Sequence, residues 1–168
     1  MSLDEKICLS DYNDEWPILY SAEKEILSAQ FPDAKFEHIG STSVKGMVAK
    51  PIIDIMIGIA PFPPPGEMMA RLGEMGYTDL SKAAGTDKAG WFYLAKRGAA
   101  NYNIYLVEHL GSRWNSFVFY RNSLRDDENK VREYSAIKRD ILGKGIDTML
   151  KYSEEKGGFI SDVMKDFS

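Results

Sequence analysis

Gly40-Ser41-Thr42-Ser43-Val44, followed shortly by Lys50-Pro51-Ile52-Ile53-Asp54, sets a turn of small residues just ahead of an apolar strand that carries a carboxylate. Glycine lets a backbone approach a phosphate closely, and free N–H groups at the start of a following helix favour anions. An acid inside so apolar a strand is costly to bury unless it is paired or metal-bound. Together the two features supply what nucleotidyl transfer needs, a phosphate grip beside a metal-binding acid. Such sites commonly hold two metal ions, and residues i and i+2 of a strand share a face. A second acid is therefore expected at position 56, where this chain has Met56, whose thioether is a poor ligand for a hard cation.

Working outward, residues 36–39 form a short strand leading into the turn, and 52–59 is nearly continuous apolar sequence, the pattern of a central strand covered on both faces. Asn13 or Asp14 caps an opening helix with Pro17 in its first turn and Trp16, Leu19, Tyr20, Ile26 and Leu27 on one face through Gln30. The prolines of 61–65 make a rigid loop before a helix over 67–75, which Gly76 closes. Residues 77–80 are expected to form an edge strand and 81–90 a mobile, poorly ordered loop. Strands over 91–96 and 102–107 are spaced as an antiparallel hairpin. From Gly111 onward apolar residues recur with helical period, including Trp114, Phe117, Val118 and Leu124, then Val131, Tyr134, Ile137 and Ile141, then Phe159, Ile160, Val163 and Phe167. The expectation is one domain over 1–168, with a mixed core over 1–110 and a helical cap over 111–168.

The 168 residues, 44% apolar and 12% aromatic, are enough for a core of their own. Lys and Arg number 21 against 25 Asp and Glu, so a net charge of −4 gives no bulk attraction to nucleic acid or anionic membrane. Cys8 alone excludes an internal disulfide, and His38 and His109 do not make a zinc cluster. No apolar run approaches the roughly 18 residues that span a bilayer, and the N-terminus lacks the apolar core of a signal peptide, so a cytoplasmic location is expected. Met1-Ser2-Leu3 reads as partly a cloning remnant and is given no weight.

His38-Ile39-Gly40-Ser41-Thr42-Ser43-Val44-Lys45-Gly46 and Ala49-Lys50-Pro51-Ile52-Ile53-Asp54-Ile55 resemble the GrpB family, placed within the nucleotidyltransferase superfamily. Trp16-Pro17, Phe119-Tyr120-Arg121-Asn122-Ser123-Leu124-Arg125, Glu133-Tyr134-Ser135-Ala136-Ile137-Lys138-Arg139, and Tyr152 with Lys156 and Phe159 are similar to that family's other landmarks, so the likeness covers nearly the whole chain. The superfamily pattern is Gly-Ser, about a dozen residues, then acid, apolar, acid. Here twelve residues separate Ser41 from Asp54. The resemblance implies an α+β, nucleotidyltransferase-like fold, a mixed sheet of about five strands with helices on one face and a C-terminal helical cap. Members tend to carry histidines along the 101–107 strand, where this chain has Asn101, Asn103 and Tyr105.

Asp54 is the expected catalytic acid and Mg²⁺ ligand, with Glu108 a further ligand and Asn103 a neutral oxygen. Gly40, Ser41, Thr42 and Ser43 are expected to hold phosphate. Lys50, Arg121, Arg125 and Lys138 would hold the remaining anionic groups; Arg121 with Arg125, and Tyr134 with Lys138, share helix faces at i, i+4. Plainer roles compete. A Gly-Ser turn is often only a connection, His38 more often packs than reacts, and Arg121, Arg125 and Lys138 suit a solvated face beside Asp126, Glu128 or Asp140. Trp91, Phe92, Tyr93, Trp114, Phe117 and Phe119 suit a core better than a base-stacking platform.

The leading expectation is a protein that binds a nucleotide or another phosphorylated small molecule, with metal-dependent nucleotidyl transfer. The first alternative is a catalytically silent ligand-binding module on the same fold, for which Met56 argues. The other is an interaction protein, which an exposed apolar patch around Trp114 and Phe117 would favour.

Overall fold

In the computed structural model the described residues are 3–168, so of Met1-Ser2-Leu3 only Leu3 lies within them. Five strands form one sheet, β1 (Lys35–Ile39), β2 (Ile53–Ile59), β3 (Thr78–Asp79), β4 (Phe92–Lys96) and β5 (Tyr102–Glu108), in the order β1-β2-β5-β4-β3. β2 and β5 run parallel, and the other neighbours are antiparallel. The architecture is the expected α+β mixed sheet, with β4 and β5 as the expected hairpin and β3 as the short edge.

Strand period fixes which face each residue serves. Ile53, Ile55, Ile57 and Ile59 of β2 pack with Tyr102, Ile104 and Leu106 of β5 in the largest apolar cluster. Over that face lie α1 (Glu15–Gln30) and α2 (Gly66–Glu74), which contribute Trp16, Leu27, Met68 and Leu72. Removing each such side chain from water is worth about 1.5–3 kcal/mol, and this layer is the main apolar store of the fold. Ile26 departs from expectation and stands 54% exposed. Its place on the inner stripe of α1 is taken by Glu23, whose carboxylate is buried but pairs with Lys96 and accepts a hydrogen bond from Tyr77 at 2.7 Å. That polar tie fastens α1 to β4, and burial of the acid is tolerated because it is paired.

The segment after β3 is not the open loop its composition suggests. Ser81–Ala84 is a short helix, α3, and the Ser81 hydroxyl donates to Asp79 at 2.5 Å and accepts from the Tyr93 backbone N–H at 2.9 Å. Thr86 is buried behind it, and its carbonyl accepts from the Trp91 N–H at 3.1 Å.

The other sheet face presents Asp54, Met56 and Gly58 of β2 beside Asn103, Tyr105 and Val107 of β5. α4 (Ser112–Arg125) covers one end of it, where Trp114 packs on Met56, Val107 and Ile39. α5 (Glu128–Gly143), α6 (Met149–Glu155) and α7 (Gly157–Met164) complete the helical cap. Val44 and Met47 pack into it with Leu124, Tyr134, Phe159 and Val163. The N-terminal segment crosses to the cap as well: Ile7 packs with Ile141 and Tyr152, and its N–H donates to the Asp147 carbonyl at 2.7 Å. Trp114 is 7% exposed and Phe117 packs against its cluster, so this region is core and offers no exposed patch.

Gly58 admits the indole. A Cβ there would fall 2.5 Å from Trp114 Cζ3 and 3.2 Å from the His109 Cα. Gly58→Ala is therefore expected to cost about 1–3 kcal/mol of stability as α4 is pushed off the sheet, read by chemical denaturation. A variant as stable as wild type would show that α4 can slide without loss.

Candidate functional site

The turn and the acid meet directly. Gly40 sits at φ 71°, in the region that favours glycine, and a side chain there would run into the Asp54 carboxylate. Glycine is thus needed twice at one position. Ser41–Ser43 then forms one turn of 3₁₀ helix, closed by the Ser43 hydroxyl donating to the Gly40 carbonyl at 2.6 Å. Thr42 Oγ1 lies 3.0 Å from His38 Nε2. The His38 ring stacks on Tyr20 at 4.6 Å between centroids, and burial followed by the charges of Arg125 and Arg121 lowers its pKa to about 3. His38 is a neutral packing residue beneath the turn.

Asp54 is partly buried at the floor of a cleft of about 360 Å³. Its Oδ1 accepts from Asn103 Nδ2 at 2.9 Å, across the parallel strand pair where the two residues stand in register. The amide is oriented from behind, since Arg97 Nη2 donates to Asn103 Oδ1 at 3.0 Å and the same guanidinium is held bidentately by Glu5. Burial raises the Asp54 pKa, opposed by Lys50, by the Asn103 hydrogen bond, and by Lys156 and Arg97.

Three lysines line the same cleft, Lys50, Lys138 and Lys156. Lys138 is 2% exposed, with its Nζ 2.5 Å from Ser41 Oγ, 2.7 Å from the Val48 carbonyl and 4.1 Å from the Tyr134 ring centroid. Burial, then Lys156 and Lys50, lower its pKa to about 6. Lys156, over the Tyr152 ring, is lowered to about 8 by burial and then by Lys50. Lys50 is also lowered by burial, and its ammonium lies 3.0 Å from Met149 Sδ. Like charges crowded into one desolvated space disfavour one another's charged forms. On the sheet side, Trp91, Tyr93 and Tyr105 line the opening, with Trp91 stacked on Tyr105 at 5.5 Å and 10°.

Ser41, Thr42, Lys50, Asp54 and Lys138 thus share one cleft, as the sequence suggested, while other expected residues face elsewhere. Ser43 spends its hydroxyl on the turn itself. Arg121 is buried against Glu37 and donates to the His38 carbonyl at 3.0 Å, and Arg125 Nε donates to the Ser43 carbonyl at 3.0 Å. Both arginines brace the chain at the turn from behind and are not among the residues that line the cleft. Glu108 stands opposite Ile59 at the far end of β5, five positions from Asn103 and on the other face, because the strand alternates. It cannot join Asp54. Lys156 and Asn103 are the positions whose site roles sequence reasoning missed or undervalued. The i, i+4 spacing of Tyr152 and Lys156 could have flagged the first. Trp91, Tyr93 and Tyr105, assigned to core or passed over, line the cleft because the 81–90 segment folds back beside them.

The donor set does not fit a resident Mg²⁺ pair. Asp54 is the one carboxylate lining the cleft among the described residues, and one of its oxygens is already engaged by an amide donor. Met56 is sealed under Trp114, and no group of three His, Cys, Asp or Glu among the described residues could hold a metal ion. The rest of the ionisable side chains lining the cleft, apart from its tyrosines, are lysines. A larger hollow of about 870 Å³ lies between the proline loop and α2, and contains neither the turn nor Asp54.

Among the described residues no helix is long and apolar enough to cross a membrane. A family model described as GrpB protein matches residues 6–166. The glutamate-rich protein GrpB of Alkalihalophilus pseudofirmus is 26% identical over 96% of this chain and 95% of its own length. A UPF0157 protein of Streptomyces coelicolor is 30% identical, covering 92% of this chain and 81% of that one. The crystal structure of GrpB from Enterococcus faecalis has the same fold, with a TM-score of 0.83 at 23% identity over 95% of this chain and 96% of that one. Since the family match runs almost end to end and takes in the turn, the acid strand and the cap, this chain belongs to the GrpB family.

Proposed function

We propose that the cleft binds a nucleotide or another phosphorylated small molecule, with its phosphates between the Gly40 turn and the ammonium groups of Lys50 and Lys156. The supporting observation is the charge count of the lining: three lysines, all with lowered pKa, around a single carboxylate. A phosphate entering this space relieves the mutual repulsion of the lysines, so their desolvation favours an anion. Trp91 and Tyr105 give an aromatic ligand group a flat wall. Because Asp54 is held by Asn103 with no second carboxylate beside it, binding without Mg²⁺ suits the site, and two-metal transfer does not. Binding without nucleotidyl transfer is the reading this arrangement favours; the Trp114 region, being core, favours no docking role.

Calorimetry with ATP, GTP, CTP and UTP is expected to give heat for at least one of them, with or without Mg²⁺. No heat from any removes the nucleotide, and heat only with Mg²⁺ would restore a metal at Asp54. Lys156→Met should weaken the bound nucleotide by roughly 10- to 100-fold, the span of a hydrogen bond to a charged group, whereas Asp54→Asn should retain binding.

Affinity should also depend on pH in one direction. A bound anion favours the protonated lysine, so binding takes up protons, and affinity should fall as pH rises through about 8, where Lys156 loses its charge. Titration from pH 6.5 to 9.5 checks this, and a flat profile would remove Lys156 from the contact.

Asn103→Asp would place a second carboxylate against Asp54 at the present 2.9 Å contact. That pair is expected to create divalent binding that wild type lacks, detected as Mn²⁺-dependent stabilisation in a thermal melt. Stabilisation of wild type by Mn²⁺ to the same extent would contradict the account of the donor set.

A further inference from the structure

Ser41 and Lys138 form a pair that phosphate binding does not explain. Phosphate would be served by a charged lysine with its head in the cleft, yet Lys138 is the most buried of the three, at 2% exposed. Its Nζ is fixed from two sides, by the Val48 carbonyl at 2.7 Å and the Tyr134 ring at 4.1 Å, and points to Ser41 Oγ at 2.5 Å. The charged and titratable groups around it are Lys50 and Lys156, which disfavour its ammonium form, and Asp54, which favours it; Tyr134 and Tyr152 line the same space. Burial, then the two lysines, prevail and lower its pKa to about 6, which favours the free amine at neutral pH. As an ammonium Lys138 donates to both Ser41 Oγ and the Val48 carbonyl; as an amine it keeps the Val48 bond, and its lone pair is then placed to accept the Ser41 hydroxyl proton across the same 2.5 Å contact. A serine within hydrogen-bond reach of a neutral, oriented base, at the edge of an open cleft, has the geometry of an activated nucleophile.

We propose that Ser41 is a nucleophile with Lys138 as its general base, acting on small carboxylic esters that carry an anionic group. The chemistry balances with no group beyond substrate and water. Ser41 Oγ bonds to the ester carbonyl carbon as its proton passes to Lys138 Nζ. The C–O bond to the leaving group then breaks, and the departing alcohol takes that proton. Water attacks the acyl-serine, gives a proton to Lys138, and the carboxylic acid leaves as Ser41 Oγ recovers it. The net reaction is ester plus water to acid plus alcohol. The substrate's anionic end would rest on Lys50 and Lys156.

An uncharged alkyl fluorophosphonate tests the pair without drawing on phosphate binding, so its outcome is independent of the nucleotide titrations. Reaction forms an Oγ–P bond at Ser41, expels fluoride and passes the hydroxyl proton to Lys138. The full chain, incubated with the probe from pH 5 to 9 and mapped by peptide mass spectrometry, is expected to carry the adduct at Ser41. Labelling should rise about tenfold per pH unit below about 6 and level off above it, as Lys138 becomes the free base. Lys138→Arg and Lys138→Met, each checked for native circular dichroism, should label at least about a hundredfold more slowly. The wild-type pH profile decides the question even if neither variant folds. No adduct at Ser41, an adduct only elsewhere, a flat profile, or a folded Lys138 variant that labels at the wild-type rate would each overturn the proposal.

Discussion

The close approach of the Gly40 backbone to the Asp54 carboxylate is the constraint on which the rest of the site depends. Any side chain at 40 would have to occupy the space of the carboxyl group, and the positive φ that steers the chain into the 3₁₀ turn would be strained as well. With glycine there, Ser41 is set on the rim of the cleft and Thr42 over His38, while Arg121 and Arg125 hold the turn by its carbonyls. The turn is therefore bound to the sheet on one side and to the cap on the other, and its small residues have little freedom to shift.

Around that junction the charges are arranged unevenly. Asp54 is tied through Asn103 and Arg97 to Glu5, a relay that fixes the amide's orientation and leaves the carboxylate an acceptor only. Facing it, the cap brings Lys138 and Lys156 from separate helices, with Lys50 from the strand's approach. Burying three lysines beside one carboxylate is unfavourable for the empty protein and lowers the pKa of each lysine, and such tension is common where a site is shaped for a ligand or a reaction instead of for stability.

The positions of the strands along the chain, the turn and the acid were legible in the sequence because they rest on local signals: strand period, a run of small residues, and a carboxylate in apolar surroundings. The directions of Arg121 and Arg125 were not, since i, i+4 spacing shows that they share a helix face but not what that face meets. The answer came from Trp114 docking into the notch at Gly58, a contact between residues 56 positions apart. Glu108 was misplaced for a related reason: strand period alone sets it in step with Tyr102 and Ile104, opposite Asn103, but that Asp54 stands beside Asn103 and so shares its face follows from the register with β2, which composition does not reveal. The ordering of 81–90 depends on one hydroxyl, Ser81, bridging Asp79 and Tyr93, and that segment in turn brings the aromatic wall to the opening.

Met56 bears on how this chain could change over evolutionary time. Its side chain lies under an indole, with Ile39 and Val107 on either side. An aspartate at that position would be an isolated anion in a dry layer, costing several kcal/mol unless Trp114 gave way as well. Installing paired acids on β2 thus requires at least two coordinated replacements, the first of them harmful alone. The packing of one aromatic ring holds position 56 to an apolar side chain and keeps Asp54 the solitary carboxylate of its strand face.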